Sequence, residues 1–439
     1  MKLDFEKLEN KIAEAQPHRT LGKVSKIVGL MIEAQGIKVE LGELCTIRSK
    51  THNEIKEVRA EVVGFNEDSA VLMPLQEAQE IKMGAEVIPS KEQVSIKIGP
   101  ELIGRVINGL GEPIDEGMQP RVKTTVSQWK DAPSPLKRKR IDQQLHFGIK
   151  AIDGMLTCGK GQRMGIFAGS GVGKSTLMGM IAKNSDADLN VIALIGERGR
   201  EVREFIEESL GPEGLKKSIV IVATGNESSL MRIKAALFAH SIAEHFRDVE
   251  GKNVLLMLDS VTRVALAQRE IGLAVGEPPA TRGYTPSVFA LIPKLLERTG
   301  TSDTGTITAL YTVLVEGDDM NEPIADLARG VLDGHIVLSR ELAHKNHFPA
   351  IDVLQSVSRV MPSIANPDHL QTASVIRNFM ATYREAQDLI NIGAYQKGSN
   401  PDIDNAIRAN PRINEFLQQA TNSNISEQET FNLMRSILS

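Results

Sequence analysis

The sequence feature that most constrains the fold is a run of small residues between a strand pattern and a helix pattern. This run, AGSGVGKS, extends from Ala168 to Ser175. The apolar residues Met164 to Ala168 are typical of a buried strand, and a helical pattern begins at Ser175. Strand, glycine loop and helix in this order predict an α/β fold with a phosphate-binding loop. The reason is that the glycines let successive backbone N–H groups turn inward toward phosphate oxygens.

The residues of this loop have separate expected roles. Lys174 supplies a positive charge for the β and γ phosphates of a nucleotide, and the Ser175 hydroxyl can bind Mg²⁺. The common form of the motif begins with Gly where this chain has Ala168, and a methyl group should change the backbone only slightly. The predicted ligand is therefore ATP with Mg²⁺. The predicted nucleotide contacts are Gly169, Ser170, Gly171, Val172, Gly173, Lys174, Ser175 and Thr176.

Two acidic residues follow apolar strand patterns in the same region. Asp259 ends the run NVLLMLD, and Glu197 comes directly after NVIALIG. Carboxylates at the carboxyl ends of strands lie at the edge where open α/β sheets bind ligands. We therefore expect Asp259 to hold the Mg²⁺ shell, Glu197 to polarise the attacking water and Arg198 to contact the same phosphate. From the residues alone, Glu197 and Arg198 could also be a charge cluster at a helix start.

The hydrophobic pattern divides the chain into regions. Short Val- and Ile-rich runs near the start predict a small antiparallel β-barrel or sandwich. Strand patterns that alternate with helix patterns then predict a parallel sheet covered by helices, and only helix patterns follow. The fold class is therefore α/β with a β-barrel before the sheet and helices after it. The predicted domains are an amphipathic helix at 1–17, the β-barrel at 18–92, a P-loop ATPase domain with a leading linker at 93–365, and a helical domain at 366–439.

Composition argues against several classes of function. Lys plus Arg total 51 against 56 Asp plus Glu, a net charge of -5, so a nucleic-acid partner is not expected. Cys45 and Cys158 are the only cysteines, too few for a disulfide framework or a metal motif. The sequence has neither a signal-peptide pattern nor a run of 18 apolar residues. We expect a cytoplasmic protein, and the basic run Lys137 to Arg140 is either a solvated linker or a patch for anionic lipid or nucleic acid.

Several long segments together resemble one known family. They include LIGRVINGLGEPID, AGSGVGKST, ALIGERGREV, DSVTRVALAQREIGLAVGEPPATRGY, YTVLVEGDD and PAIDVLQSVSRVM. The sequence is similar to the hexameric rotary-type ATPases that include the catalytic subunits of ATP synthase. It is more similar to the ATPases of flagellar and virulence type III protein export, and most of all to the flagellar members. The resemblance covers the chain from about residue 18 to 439 and implies a central RecA-like P-loop sheet.

This resemblance implies catalytic roles. Glu197 matches the family's catalytic carboxylate, and Arg198 matches a γ-phosphate contact. Asp259 matches the acid of the metal site, and Arg263 is the arginine four residues further on. Arg359, in SVSRV, matches an arginine finger that reaches into the site of the neighbouring subunit.

The resemblance also implies contacts to the base and to the central pore. Phe348, in HFPAID, falls where catalytic relatives carry an aromatic ring against adenine. Phe in place of Tyr there keeps the stacking face and loses only the hydroxyl. Tyr395 is a second candidate near the adenine. Residues Gln268 to Gly283 match the loop that lines the central pore of the ring.

In such a family member, the implied assembly is a homo-hexamer whose amino-terminal barrels form a ring. The implied partners are a stator-like regulatory protein at the N-terminal helix, a central coiled-coil stalk protein, export-gate proteins and substrate–chaperone complexes. The implied location is the cytoplasmic face of the membrane, to which the protein is peripherally associated at the export apparatus.

Four alternatives differ in what they need. A virulence-injectisome ATPase would use the same chemistry in another machine. A rotary ATP synthase subunit would need a second chain type, whereas this chain carries both Glu197 and Arg359. An RNA-translocating hexamer is disfavoured by the acidic balance and the lack of an evident base-stacking aromatic motif. A non-catalytic nucleotide-binding module is disfavoured by Glu197.

Overall fold

The computed structural model describes residues 21–51, 54–76, 80–122, 124–315, 317 and 319–438. The amphipathic helix predicted at 1–17 lies outside these residues. The described chain separates into two compact units, one extending to Val94 with Ala274–Gly276 added, and the other containing Ser95–Leu273 and Glu277 onward. No helix of the described ranges is long and apolar enough to cross a membrane.

The first unit is a closed β-barrel. Its strands are β1 (Gly22–Val28), β2 (Met31–Gln35), β3 (Glu43–Thr51), β4 (Glu54–Asn66), β5 (Ser69–Pro74) and β6 (Glu86–Gln93). They pair antiparallel in the order β1-β2-β5-β4-β3-β6, and β6 returns to β1, so the sheet closes on itself. Ile47, Leu72 and Val87 fill the interior. The sequence pattern allowed a barrel or a sandwich, and the closed strand order confirms the barrel.

The second unit contains the remaining strands. They are β7 (Ser95–Ile98), β8 (Val106–Asn108), β9 (Thr124–Ser127), β10 (Gln144–Leu145), β11 (Cys158–Gly159), β12 (Arg163–Ala168), β13 (Leu189–Ile195), β14 (Ser218–Ala223), β15 (Asn253–Asp259), β16 (Gly300–Thr301), β17 (Thr306–Leu314), β18 (Gly334–Leu338) and β19 (Val357–Ser358). The central sheet has the order β19-β18-β12-β17-β15-β13-β14-β8, with β16 paired to β17.

Helices cover this sheet and continue beyond it. They are α1 (Lys150–Met155), α2 (Lys174–Asn184), α3 (Gly199–Glu204), α4 (Gly211–Lys216), α5 (Ser229–Asp248), α6 (Val261–Ala274), α7 (Pro286–Glu297), α8 (Pro323–Val331), α9 (Arg340–His344), α10 (Met361–Ile364), α11 (Pro367–Asn391), α12 (Pro401–Leu417) and α13 (Glu427–Leu438). A π-helical turn, Phe205–Leu210, joins α3 to α4. The Ser426 hydroxyl caps the start of the last helix by accepting the Glu429 N–H at 3.3 Å.

The central sheet is mixed rather than purely parallel. Strands β18, β12, β17, β15, β13, β14 and β8 run parallel, whereas β16 and β19 pair antiparallel. Each of the two antiparallel strands has only two residues, too few for periodicity to reveal. Strand β8 comes from the connecting region, where its Val-Ile-Asn run is too short to stand out among glycines. Because the long strands are parallel, the carboxyl ends of β12, β13 and β15 meet at one edge.

Candidate active site

The phosphate loop has the backbone that its glycines predict. Strand β12 ends at Ala168 and α2 begins at Lys174. Gly171 has φ +77° and Gly173 has φ +89°, left-handed values that strain any residue with a Cβ atom. Ala168, the departure from the usual motif, is fully buried in the sheet, and its carbonyl accepts the Val315 N–H at 3.1 Å. The first N–H groups of α2 have no acceptor within the helix and can bind an anion.

A cleft of about 870 Å³ opens over this loop. Its walls hold most of the predicted site residues and several that the sequence did not single out. The lining residues are Ala168 to Gly171, Gly173 to Thr176, Glu197, Arg198, Glu201, Thr262, Arg263, Leu266, Arg269, Arg282, Tyr284, Leu314, Val315, Gly317, Glu322 and Arg340. Val172, predicted as a nucleotide contact, is buried under the loop and does not line the cleft, so any contact from it would come from its backbone.

Three charged side chains meet beside the phosphate loop: Lys174 and Glu197 line the cleft, and Asp259, which is not among the lining residues, contacts Lys174. Lys174 Nζ donates to Asp259 Oδ1 at 2.5 Å and to Glu197 Oε1 at 3.3 Å. The exposed fractions are 12% for Lys174, 5% for Asp259 and 14% for Glu197, so each charge depends on the others for compensation. Burial lowers the pKa of Lys174, but the charges of Asp259 and Glu197 outweigh this and raise the pKa above its ordinary value. Lys174 is therefore a cation here.

Glu197 is held at the carboxyl edge of the sheet, beside Lys174. It follows β13 directly, and its carbonyl accepts the Gly225 N–H at 3.0 Å. Burial and the nearby charge of Asp259 raise the pKa of Glu197 to about 7, while Lys174 opposes this shift. A carboxyl group with this pKa can accept a proton near neutral pH.

Glu201 is a cleft residue that the sequence reasoning missed. It lies on α3, four residues after Glu197, and a hydrogen bond joins the two carboxyl groups. This bond raises the pKa of Glu197 and lowers the pKa of Glu201, so a proton shared between them belongs to Glu197. The segment GERGRE places Glu197 just before α3 and Glu201 in the first turn of that helix, so the two carboxyl groups are close in the chain.

The predicted arginines lie in different places. The Arg198 side chain is 87% exposed at the rim of the cleft, where Nη1 lies 3.5 Å from Glu201 Oε1. Arg263 lines the cleft and packs against Gly196, where an added Cβ would come within 2.9 Å of Arg263 Cβ. Arg359 is not in the cleft. It follows β19 on the surface, and its Nη2 donates to the Arg329 carbonyl at 3.4 Å.

The two aromatic candidates also differ. Phe348 is partly exposed beside the phosphate loop, with its Cε1 atom 3.4 Å from the Cβ position of Gly173. Tyr395 is not among the residues that line the cleft. Its hydroxyl donates to the Asn400 carbonyl at 2.9 Å and lies 3.0 Å from Asp404 Oδ1. Neither residue is among those that line the cleft, but Phe348 has a described contact with the phosphate loop.

The segment Gln268 to Gly283, expected at a central pore, also reaches the cleft. Arg269 and Arg282 from this segment line it. The Arg269 guanidinium lies 5.7 Å from the centre of the Tyr284 ring, and Arg282 Nη2 donates to Asp319 Oδ2 at 2.9 Å. Sequence periodicity does not reveal these contacts, because a long loop and a helix end bring them together.

The described ranges contain no group of three or more His, Cys, Asp or Glu that could hold a metal by itself. Ser175 and Asp259 nevertheless suit one kind of divalent ion. Mg²⁺ keeps several water molecules and is usually bound by one or two protein oxygens together with substrate phosphates. Ser175 lines the cleft and the Asp259 carboxylate contacts the cleft residue Lys174, so a hydroxyl and a carboxylate oxygen of this kind are present beside the loop.

Comparison with known families agrees with this architecture domain by domain. Residues 148–358 match the ATP synthase alpha/beta family, nucleotide-binding domain. Residues 24–91 match the β-barrel domain of the same family, and residues 365–436 match the T3SS EscN ATPase C-terminal domain. The three matches follow the chain in the order barrel, sheet and terminal helices.

Individual relatives are similar over nearly the whole chain. The chain is 57% identical to the flagellum-specific ATP synthase of Bacillus subtilis (strain 168), covering 92% of each chain. It is 49% identical to the type 3 secretion system ATPase of Xanthomonas euvesicatoria, covering 98% of this chain and 97% of that one. A solved structure of the assembled ATPase EscN in complex with its central stalk EscO, from the enteropathogenic E. coli type III secretion system, matches with a TM-score of 0.87. Identity to that structure is 44%, with 95% of this chain and all of that chain covered.

The sheet, the phosphate loop and the carboxylates at its edge define a P-loop ATPase. With the family matches and the relatives above, the chain belongs to the ATP synthase alpha/beta family, in the branch of flagellum-specific and type III secretion ATPases. The resemblance predicted from its motifs is confirmed.

Proposed function

We propose that this chain hydrolyses Mg-ATP to energise or prime protein export through a flagellar type III secretion apparatus. The observation that carries the catalytic part is that Lys174, which lines the cleft with Glu197, contacts both Glu197 and Asp259. The flagellar assignment is supported by the relatives, because the flagellum-specific ATP synthase of Bacillus subtilis is 57% identical and the type 3 secretion ATPase of Xanthomonas euvesicatoria is 49% identical.

Each cleft residue has a proposed role. Lys174 and the loop N–H groups bind the β and γ phosphates, and Glu197 accepts a proton from the attacking water. Arg198 contacts the γ phosphate from the rim, and Phe348 stacks against the adenine. A bound Mg²⁺ would neutralise phosphate charge, with Ser175 and Asp259 as its protein oxygens. The loop residues Gly169, Ser170, Gly171, Val172, Gly173 and Thr176 complete the nucleotide contacts.

Arg359 has a proposed role in a neighbouring copy of this chain. Its exposed guanidinium lies outside the cleft of its own subunit, and its described contacts are to backbone atoms and not to a carboxylate. A homo-hexamer would bring this arginine to the γ phosphate bound by the next subunit. The assembled ATPase EscN, solved with its central stalk EscO, supports both a ring and a stalk partner for this chain.

The remaining proposals concern organisation and partners. We propose the divisions 1–17, 18–92, 93–365 and 366–439, with a stator-like regulator at the first and export-gate proteins and substrate–chaperone complexes at the last. We place the protein in the cytoplasm, at the membrane face of the export apparatus. Residues 274–276, grouped with the barrel unit, belong to the ATPase domain in this division.

The test is deletion of the gene in its own cells, followed by return of the wild-type gene or of a Glu197→Gln gene. We expect loss of swimming and of secretion of flagellar proteins, restored by the wild type and not by the variant. Loss of effector secretion with normal swimming would instead identify an injectisome ATPase. Unchanged swimming and unchanged secretion would contradict the export function.

A further inference from the structure

A buried hydroxyl group contacts the carboxylate of Asp259, the residue that accepts a hydrogen bond from Lys174 of the phosphate loop. Thr312, on β17, is fully buried and is not among the residues that line the cleft. Its Oγ1 donates to Asp259 Oδ1 at 2.6 Å, across the pairing between β17 and β15. No motif of the sequence analysis gave this residue a role of its own.

The hydroxyl has one proton and two acceptors within reach. Oγ1 lies 2.6 Å from Asp259 Oδ1 and 3.4 Å from the Leu258 carbonyl, so the proton is directed to the carboxylate. A β-branched side chain in a strand has restricted rotation about χ1, and burial restricts it further. Thr312 is therefore a fixed donor, unlike a long side chain that can swing away.

The two donors to Asp259 share one oxygen. Lys174 Nζ reaches Oδ1 at 2.5 Å and Thr312 reaches the same atom at 2.6 Å. A carboxylate whose one oxygen is held from behind presents its other oxygen in a fixed direction. Lys174 lines the cleft and is available to phosphates, whereas Thr312 does not line it, so only Thr312 can keep this hold when a nucleotide binds.

We propose that Thr312 is a positioning residue that orients Asp259 toward the Mg²⁺ of a bound nucleotide. The inference rests on the metal role proposed above for Asp259. Groups that hydrogen-bond a metal-binding carboxylate fix its orientation, and their loss typically lowers metal affinity about 10- to 100-fold. Thr312 would thus set how much Mg²⁺ strengthens nucleotide binding, with no contact of its own to the nucleotide.

The experiment measures binding as well as turnover. The affinity of the full-length protein for a fluorescent ADP analogue is measured in EDTA and across a MgCl₂ titration. In Thr312→Val, which keeps the shape and removes the donor, we expect unchanged affinity in EDTA. We expect a rise of about tenfold or more in the Mg²⁺ concentration that gives half of the full increase in affinity for the ADP analogue. Thr312→Ser, which keeps the hydroxyl, should restore the wild-type titration. In Thr312→Val, the KM for Mg-ATP should change by a larger factor than kcat at saturating Mg²⁺.

Thr308→Val is the matched control. Thr308 is buried on the same strand and the same face, and its hydroxyl accepts the Gly161 N–H at 2.8 Å, away from the cleft. The Thr308→Val variant loses a comparable buried hydrogen bond, and its Mg²⁺ titration should match that of the wild type. Thr312→Ala provides the same loss of a donor if the valine variant does not fold.

The outcomes separate this inference from the proposed function. A wild-type titration in which Mg²⁺ has no effect on nucleotide affinity would contradict the metal site itself. A normal wild-type titration with an unchanged Thr312→Val titration would overturn only the role of Thr312. An equal shift in Thr308→Val, or failure of Thr312→Ser to restore the titration, would show that the effect is general loss of packing, and would also overturn it.

Discussion

The cleft over the phosphate loop and the surface around Arg359 differ in whether their positive charge is buried and paired with carboxylates. In the cleft, Lys174 is largely buried and paired with two carboxylates, which in turn depend on it. Arg359 is exposed, and in the described part of the chain it has hydrogen bonds to backbone atoms but no carboxylate partner. This difference is what the proposed shared site requires, because one chain would supply the cleft with its paired lysine and a neighbouring copy would supply the exposed arginine.

The largest expected effect on ATP turnover comes from replacing Lys174. Lys174→Ala should abolish ATP turnover, because the ammonium that contacts both Asp259 and Glu197 is the charge proposed to bind the β and γ phosphates. The protein should remain folded, since the side chain faces the cleft. Turnover and the thermal unfolding midpoint are measured together, with Lys183→Ala on the same helix as control. Turnover above a few per cent of wild type would contradict the role of the loop.

The next largest effect is expected at Arg359. An arginine finger neutralises charge that develops on the γ phosphate in the transition state, and its loss costs roughly a thousandfold or more in rate. Arg359→Lys should fail nearly as badly as Arg359→Ala, because a point charge does not reproduce the planar guanidinium fork. Nucleotide affinity should change far less than kcat. Near-normal turnover in Arg359→Lys would favour a structural role, and Arg329→Ala serves as a nearby, partly exposed control.

The proposed role of Glu197 as the base can be tested through the pH dependence of ATP turnover. As a base it must be ionised, so kcat/KM should fall about tenfold per pH unit below about 7, where its raised pKa lies. Glu197→Gln should bind Mg-ATP and lose about a hundredfold or more in turnover. Glu204→Gln on α3, whose partner is Arg200 on the surface, should change neither property. A pH profile with no fall below 7 would show that Glu197 is not the base.

The same raised pKa has a consequence for stability. Folded Glu197 holds its proton to higher pH than the unfolded chain does, so its contribution to the free energy of unfolding decreases as pH rises from about 4.5 to about 7. Gln does not ionise. The melting temperature of Glu197→Gln relative to wild type should therefore increase between pH 5 and pH 8. A constant difference would indicate that the folded carboxyl has an ordinary pKa.

The smallest expected effect is at Phe348. Stacking of a base on an aromatic ring contributes about 1 kcal/mol or more, so Phe348→Ala should raise the KM for ATP about fivefold or more with little change in kcat. Phe348→Tyr keeps the ring and should behave like wild type. Steady-state kinetics with ATP separate these expectations. An unchanged KM in Phe348→Ala would mean that the ring does not contact the base.

The sequence predicted the parts of this molecule that local patterns encode. Each long strand of the sheet appears as an apolar β-branched run, and the loop between Ala168 and Lys174 is specified by glycines whose φ angles are positive. The relatives confirm the family that the motifs suggested. These features depend on neighbours in the chain, so they can be read from the chain.

Contacts between distant residues were not predictable in the same way. Thr312 holds Asp259 from a strand 53 residues further along the chain, and Arg269 reaches the cleft from the end of a helix. Strand β8 joins the sheet from a region that resembles a linker, because its partner β14 is more than a hundred residues away. Nothing in the local pattern at these positions distinguishes them from ordinary buried or surface residues.

The most direct test of the central comparison is a mixing experiment with two inactive variants. The Lys174→Ala variant has an inactive cleft but an intact Arg359. The Arg359→Ala variant has an intact cleft but lacks the arginine. If Arg359 acts on the site of a neighbour, mixed rings contain interfaces where an intact cleft meets an intact arginine, so part of the ATP turnover should return when the variants are combined. If Arg359 acts within its own subunit, no mixed interface is complete. A mixture that stays as inactive as its components, with subunit exchange shown independently, would contradict the shared site and leave the phosphate loop assignment standing.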